Sequence, residues 1–305
     1  MSCMRLINLA FLLPAILSTS SIKAETYQSF STINYSESEY GDNLTNTDSI
    51  SLATQYYFDK RSSLGPFNEF DYINTISSVA ISYTKSNLET NFPSPYQINN
   101  SKSESDNYTI GGEWFVDDFL VGASYSRLNW ETNNCVTFCD GQPEYYRATL
   151  GYLLSDDLLV KVNAFIPEDG DTTYTFDVNY NWQLNQLDYV GFGYNSNEDF
   201  DFHHLSAKYF MALSSESFLT LGGSYVINNI KIGSSNIKVD DVWVANIGYY
   251  FNQATSISAN YGNDDSYGLS ANHFFNKNYS LGIYYHTSRW AEDTNSIGAT
   301  FVAQF

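Results

Sequence analysis

The chain has 305 residues and a net charge of −20, and 17% of it is aromatic, with 26 Tyr and 21 Phe against only 14 Lys plus Arg. So acidic a chain repels phosphate backbones, which excludes nucleic acid as a partner. Mean hydropathy is −0.30, and beyond the first 24 residues no run approaches the ~20 apolar residues of a membrane helix, which excludes a helical membrane protein.

Residues 1–24 read differently from the rest. Arg5 precedes the apolar run LINLAFLLPAIL, and SIKA then offers Ala24 as the last residue before cleavage. A basic start, a short apolar core and a small-residue exit predict a secretory signal peptide. The competing reading is a buried N-terminal helix. Cleavage would remove Arg5, Lys23 and Cys3, leaving a more acidic chain with two cysteines, Cys135 and Cys139, in NNCVTFCDGQ. In an oxidising compartment these predict a disulfide that staples a small loop. A metal site is the rival, but it needs two more ligands and none lies close in sequence. No cofactor is expected.

From residue 26 onward the pattern has period two. In TYTFDVNYNWQL, residues 173–184, Tyr174, Phe176, Val178, Tyr180, Trp182 and Leu184 take every second place, with polar residues between. Successive side chains of a strand point to opposite faces, so this segment is a strand with one apolar and one wet face. The same alternation predicts strands at 26–40, 47–58, 73–89, 104–116, 119–131, 143–154, 158–166, 172–184, 187–196, 201–213, 217–229, 238–251, 255–263, 266–275, 278–290 and 295–305. That is an all-β chain of about 16 strands, most of them near the ~9–11 residues that cross a bilayer when tilted. Composition does not break, so 25–305 is predicted to be a single domain.

The predicted connections sort by parity. After even-numbered strands most are tight, as in VDD at 116–118, SDD at 155–157 and NKN at 276–278. Several after odd-numbered strands are longer, such as 89–104, 131–143 and 229–238. A Greek-key sandwich would not sort its loops this way, whereas a transmembrane antiparallel β-barrel does. Residues 58–72, FDKRSSLGPFNEFDY, break the rule and are expected to form a lobe on the short-turn side. Small polar faces opposite the apolar rows, such as Ser256, Ser258 and Asn260, suit a water-lined lumen. Aromatics at strand ends, such as Tyr56, Phe58, Tyr249 and Phe251, suit interfacial girdles. On this reading Val178 faces lipid near mid-membrane, and Asp177, Asn179 and Asn181 face water.

Two stretches carry a resemblance. SIGATFVAQF, ending at Phe305 and with Phe301 in its apolar row, resembles the C-terminal signature of Gram-negative outer-membrane barrels, which the barrel-assembly machinery reads. Residues 56–83, YYFDKRSSLGPFNEFDYINTISSVAISY, resemble an early strand–turn–strand of the general porins of marine-type gammaproteobacteria. The match lies in Tyr57 to Asp59, Gly65-Pro66 and the strand SSVAIS. Together they span about a tenth of the chain. The resemblance implies a trimeric diffusion pore in the outer membrane. Well-known trimeric porins constrict the lumen with a long third external loop. Here that loop, 131–143, is short and carries the cysteine pair, so 89–104 and 131–143 are both candidate constrictions.

Charge completes the reading. The register puts Glu113, Arg147, Lys161, Asp177, Asn179 and Lys208 on lumen faces. They either set a field across the pore or form a salt-bridge network that stiffens its wall. Glu168, Asp169, Asp171, Asp240, Asp241, Asp264 and Asp265 fall in the connections of the opposite end. They either ring the outer mouth and favour cations, or keep loops soluble and hold divalent ions beside lipopolysaccharide. His204 and Ser206 share a strand face, resembling the His-Ser pair of an outer-membrane phospholipase, but ESFLTLGG supplies no Asn or Asp to orient the His. Catalysis is therefore not expected. The reading is a passive pore for small hydrophilic solutes in outer-membrane lipid. The alternatives are a structural or adhesive barrel without an open lumen, and a barrel hydrolase.

Overall fold

A computed structural model describes residues 24–41, 45–91, 101–133, 139–228, 241–288 and 294–305. The alternating segments form strands β1 (Thr26–Tyr40), β2 (Thr45–Ser62), β3 (Ser78–Thr90), β4 (Ser101–Val116), β5 (Phe119–Thr132), β6 (Asp140–Gly141), β7 (Glu144–Ser155), β8 (Leu158–Pro167) and β9 (Thr173–Gln183). They continue as β10 (Tyr189–Asn197), β11 (Phe202–Ala212), β12 (Phe218–Asn228), β13 (Val242–Tyr250), β14 (Thr255–Gly262), β15 (Tyr267–Asn276), β16 (Tyr279–Ser288) and β17 (Thr294–Gln304). All pairing is antiparallel between chain neighbours, with β5 passing to β7 and the two-residue β6 pairing with β5 at its edge. β1 pairs with both β2 and β17, so sixteen strands close into a barrel with no free edge. The seam is tied further by Phe305 N–H donating to the Ser29 carbonyl (2.9 Å) and by the Lys277–Glu25 ion pair (2.9 Å).

The two faces separate as the period requires. Ile81, Ile110, Leu150, Leu269 and Ile283 point outward and are well exposed, Leu150 at 65%. A soluble core would hide such residues, so the apolar face is the outer one. The inner face carries hydroxyls paired across strands, as in Ser51–Thr84 and Thr109–Ser126, both 2.9 Å. Outward aromatics form two belts. At the short-turn end Tyr56 packs on Phe58 and Tyr249 on Phe251. At the other end Tyr83 packs on Tyr108 and Trp243 on Tyr261. Hydroxyls of the second belt reach carboxylates above them, Tyr83 to Asp106 (2.5 Å) and Tyr225 to Asp241 (2.9 Å). An amphipathic ring between an apolar slab and a wet rim behaves this way.

The short-turn end differs from expectation at one connection. β2 runs on to Ser62, where Thr26 pairs with it, and β3 starts at Ser78. Residues 63–77 do not form an outer lobe. They fold inward, because the few large hydrophobic side chains buried among the described residues face the lumen at this end. Tyr189, Phe210 and Phe218 form one cluster, with Leu64, Tyr72 and Tyr250 packed on it.

A divided lumen as the candidate functional site

Segment 63–77 crosses the barrel. Phe70 meets Tyr27 and Phe30 of β1 edge-on, with centroids at 6.1 and 5.3 Å. Glu69 reaches β10, β11 and β13: its carboxylate accepts from Tyr189 Oη (2.6 Å), Lys208 Nζ (2.6 Å) and Tyr250 Oη (3.5 Å). In the sixteen-strand ring β10 lies opposite β1, so the segment spans the width of the lumen. Glu69 is 4% exposed. Burying a carboxylate costs several kcal/mol unless donors surround it, and two phenols and an ammonium do so here.

Smaller fittings seat the rest. The Phe67 N–H donates to the Gln253 carbonyl (2.9 Å), and the Phe67 ring meets Phe274 at 5.5 Å. Gln304, buried at 1% exposure, donates to the carbonyls of Phe67 and Lys277, both at 3.0 Å. Gly65 takes φ 130° against the Phe218 ring, where a Cβ would come within 2.6 Å. Gly191 lies under Tyr72, and a Cβ there would stand 2.3 Å from its ring, so only glycine lets Tyr72 lie flat on β10. The Tyr72 hydroxyl bonds Ser206, and burial raises the phenol pKa above its ordinary 10.0 although that bond opposes the shift.

Between Leu64 and Tyr72 the segment lies against β10 to β13, β15, β17 and β1, with Phe70 also under the Arg61 guanidinium of β2, and Ser77 returns to β2 and β4. On the wall from β1 round to β10 a cavity of about 900 Å³ is lined by small polar groups, among them Ser78, Ser82, Thr109 and Ser124, with four charged residues: Glu113, Arg147, Lys161 and Asp177. The structure thus places four of the expected lumen residues together on one wall. Asp177 accepts from Asn195 (3.0 Å) and from Asn163. Among the described residues no ion pair engages Glu113, Arg147, Lys161 or Asp177. A wall-stiffening salt-bridge network is therefore absent from this group. Asn179 faces the lumen opposite Gly193, outside the cavity lining. Lys208 leaves the group altogether, because Glu69 captures it, and the pair is the short one at 2.6 Å. Glu69 was missed in the sequence because its partners lie 120 to 181 residues away.

The loop acids divide. Glu168, Asp169, Asp171 and Asp265 are exposed at the long-loop end. Asp241 is bonded to Tyr225 on the outer face, and Asp264 to Ser266 and Ser288. Asp240 lies outside the described residues, as do Cys135, most of 89–104 and the signal segment short of Ala24. Cys139 is disulfide-bonded. His204 and Ser206 share the inner face of β11, but among the described residues no hydrogen bond joins them, and Ser206 lies against Tyr72. Phe301 and Phe305 are on the outer face of the seam, with Tyr279 packed on both.

Comparison with known proteins agrees with this architecture. The family described as "Putative general bacterial porin" matches residues 4–305. No curated protein matches the sequence. Among solved structures the chain is similar to Acinetobacter baumannii outer membrane protein Omp33 at 17% identity and TM-score 0.49, covering 92% of this chain and 99% of that one. It is similar to Pseudomonas aeruginosa OccK7 at 9% identity and TM-score 0.51, covering 92% and 98%. It is also similar to Pseudomonas putida OprB at 11% identity and TM-score 0.51, covering 92% of each chain.

Proposed function

This chain belongs to the general bacterial porins and is a porin-type diffusion channel of the bacterial outer membrane, and on that premise we propose that it passes small hydrophilic solutes along the β1–β10 wall with a preference for cations. The observation that carries the reading is the water-accessible cavity of about 900 Å³ walled by hydroxyls, amides and unpaired charges. The short-turn end, with both ends of the barrel chain beside it, faces the periplasm, and the long loops face outside.

Cation preference rests on the exposed carboxylates Glu168, Asp169, Asp171 and Asp265 and on the net charge of −20. Carboxylates at a mouth raise the local cation concentration within about 8 Å at physiological salt. Arg147 and Lys161 act against it inside the lumen, where Glu113 and Asp177 balance them. Reversal potential in a KCl gradient tests the balance: cation preference is expected, and anion preference overturns it.

The remaining features follow the same reading. Residues 1–24 act as the export signal. Phe301 and Phe305 present the assembly machinery with its signal before the seam closes. Cys135 and Cys139 staple the third external loop. Three copies assemble in lipid beside lipopolysaccharide. Catalysis has no role in this account. A second reading, a surface barrel with a closed lumen, has one observation in its favour: segment 63–77 lies across the path. Liposome swelling separates the two, since graded sugars enter through a pore and are all excluded by a closed barrel.

A further inference from the structure

We propose that segment 63–77 is the size-selecting constriction of this pore and that Glu69 is the residue that holds it across the lumen. The proposal rests on the porin reading and adds to it where selection occurs and what positions the selecting element.

Three observations carry it. First, the segment is anchored on opposite sides of the ring, with Phe70 on β1 and Glu69 on β10, β11 and β13. Second, both of its ends are tied at the wall. Ser63 N–H donates to the Glu25 carbonyl, and the Ser77 carbonyl accepts from Phe58 N–H, all at 2.9 Å. The Ser77 hydroxyl also accepts from Phe115 N–H at 2.9 Å. Third, every cavity-lining residue belongs to the strands from β1 round to β10, and none belongs to the segment. A solute must pass between Tyr72, Phe70 and that wall. Selection by size is then set at the periplasmic end, by a turn between β2 and β3.

Glu69 is the positioning residue because its one carboxylate bonds side chains of three strands from the middle of the segment. Removing its charge strips Lys208 of its partner and leaves two phenols without an acceptor. Gly191 supplies a second handle, because a side chain there meets the Tyr72 ring first.

The test compares full-length wild type, Glu69→Ala and Gly191→Leu, each refolded and checked for the heat-modifiable mobility of a closed barrel. Single-channel conductance in planar bilayers and liposome swelling with graded sugars are then measured. Both variants are expected to raise conductance about two-fold, because the segment screens roughly half of the ring, and to admit larger sugars. Folded variants that keep the wild-type conductance and cutoff overturn the proposal while leaving the porin reading intact. Silence from folded wild type and both variants overturns the porin reading, and this proposal with it.

Discussion

Exchanging two neighbours on β3 gives a direct measure of which face meets lipid. Ile81 points outward and is 59% exposed; Ser82 points inward and lines the cavity. Ile81 pairs with Thr54 and Ile110. The Tyr83–Tyr108 pair lies one pleat above it, and Tyr56 and Trp114 lie below, so Ile81 is near mid-membrane. Arginine at the midplane of a barrel's lipid face costs about 2–4 kcal/mol. Losing the lipid-facing part of the isoleucine adds about 1–2 kcal/mol. Ile81→Arg should therefore cost about 3–6 kcal/mol. Ser82→Arg places the same charge in water and breaks no hydrogen bond, so it should fall within about 1 kcal/mol of wild type. The assay is equilibrium urea unfolding in lipid vesicles, followed by tryptophan fluorescence. Equal penalties, or a larger one for Ser82→Arg, would refute the assignment of faces.

Two further outcomes concern the inward segment. Gln304→Ala removes two hydrogen bonds at a buried site and leaves the carbonyls of Phe67 and Lys277 unmatched, at a cost of about 2–3 kcal/mol. Faster tryptic cleavage at Lys60 and Arg61 in the folded barrel should report it, and an unchanged rate would count against the anchor. Tyr72 gives a pH dependence with a definite sign. Burial raises its phenol above 10.0, so the seated segment favours the neutral form. That contribution is complete below pH 10.0 and is lost as pH rises through the raised value. Conductance should increase in that alkaline window for wild type and stay flat for Tyr72→Phe, and identical profiles would rule the phenol out.

The strands were legible because period two is a local property. The run from Tyr174 to Leu184 alternates by itself, and β9 spans Thr173–Gln183. Loop parity was legible too, since tight turns such as Asp117–Asp118 carry their own turn residues. The inward segment was not. Asp59, Lys60 and Arg61 read as the start of a loop, yet they extend β2, because Tyr27 and Thr26 of β1 pair with Arg61 and Ser62. Nothing local in SSLGPFNEF says that Glu69 will be buried, since the phenols and the ammonium that allow it come from three distant strands. Lys208 pairs with Glu69 and not with the cavity charges for the same reason: a register places a side chain on a face and says nothing about a loop that later covers it. Glu113, Arg147, Lys161 and Asp177 meet at the cavity because the registers of β4, β7, β8 and β9 turn them to one face, a property local to those strands.

The central claim is that the lumen conducts past segment 63–77, and single-channel recording of the wild-type barrel tests it most directly. The account predicts stepwise, ohmic openings of one small unit conductance. Silence from a barrel shown to be folded and inserted would contradict it.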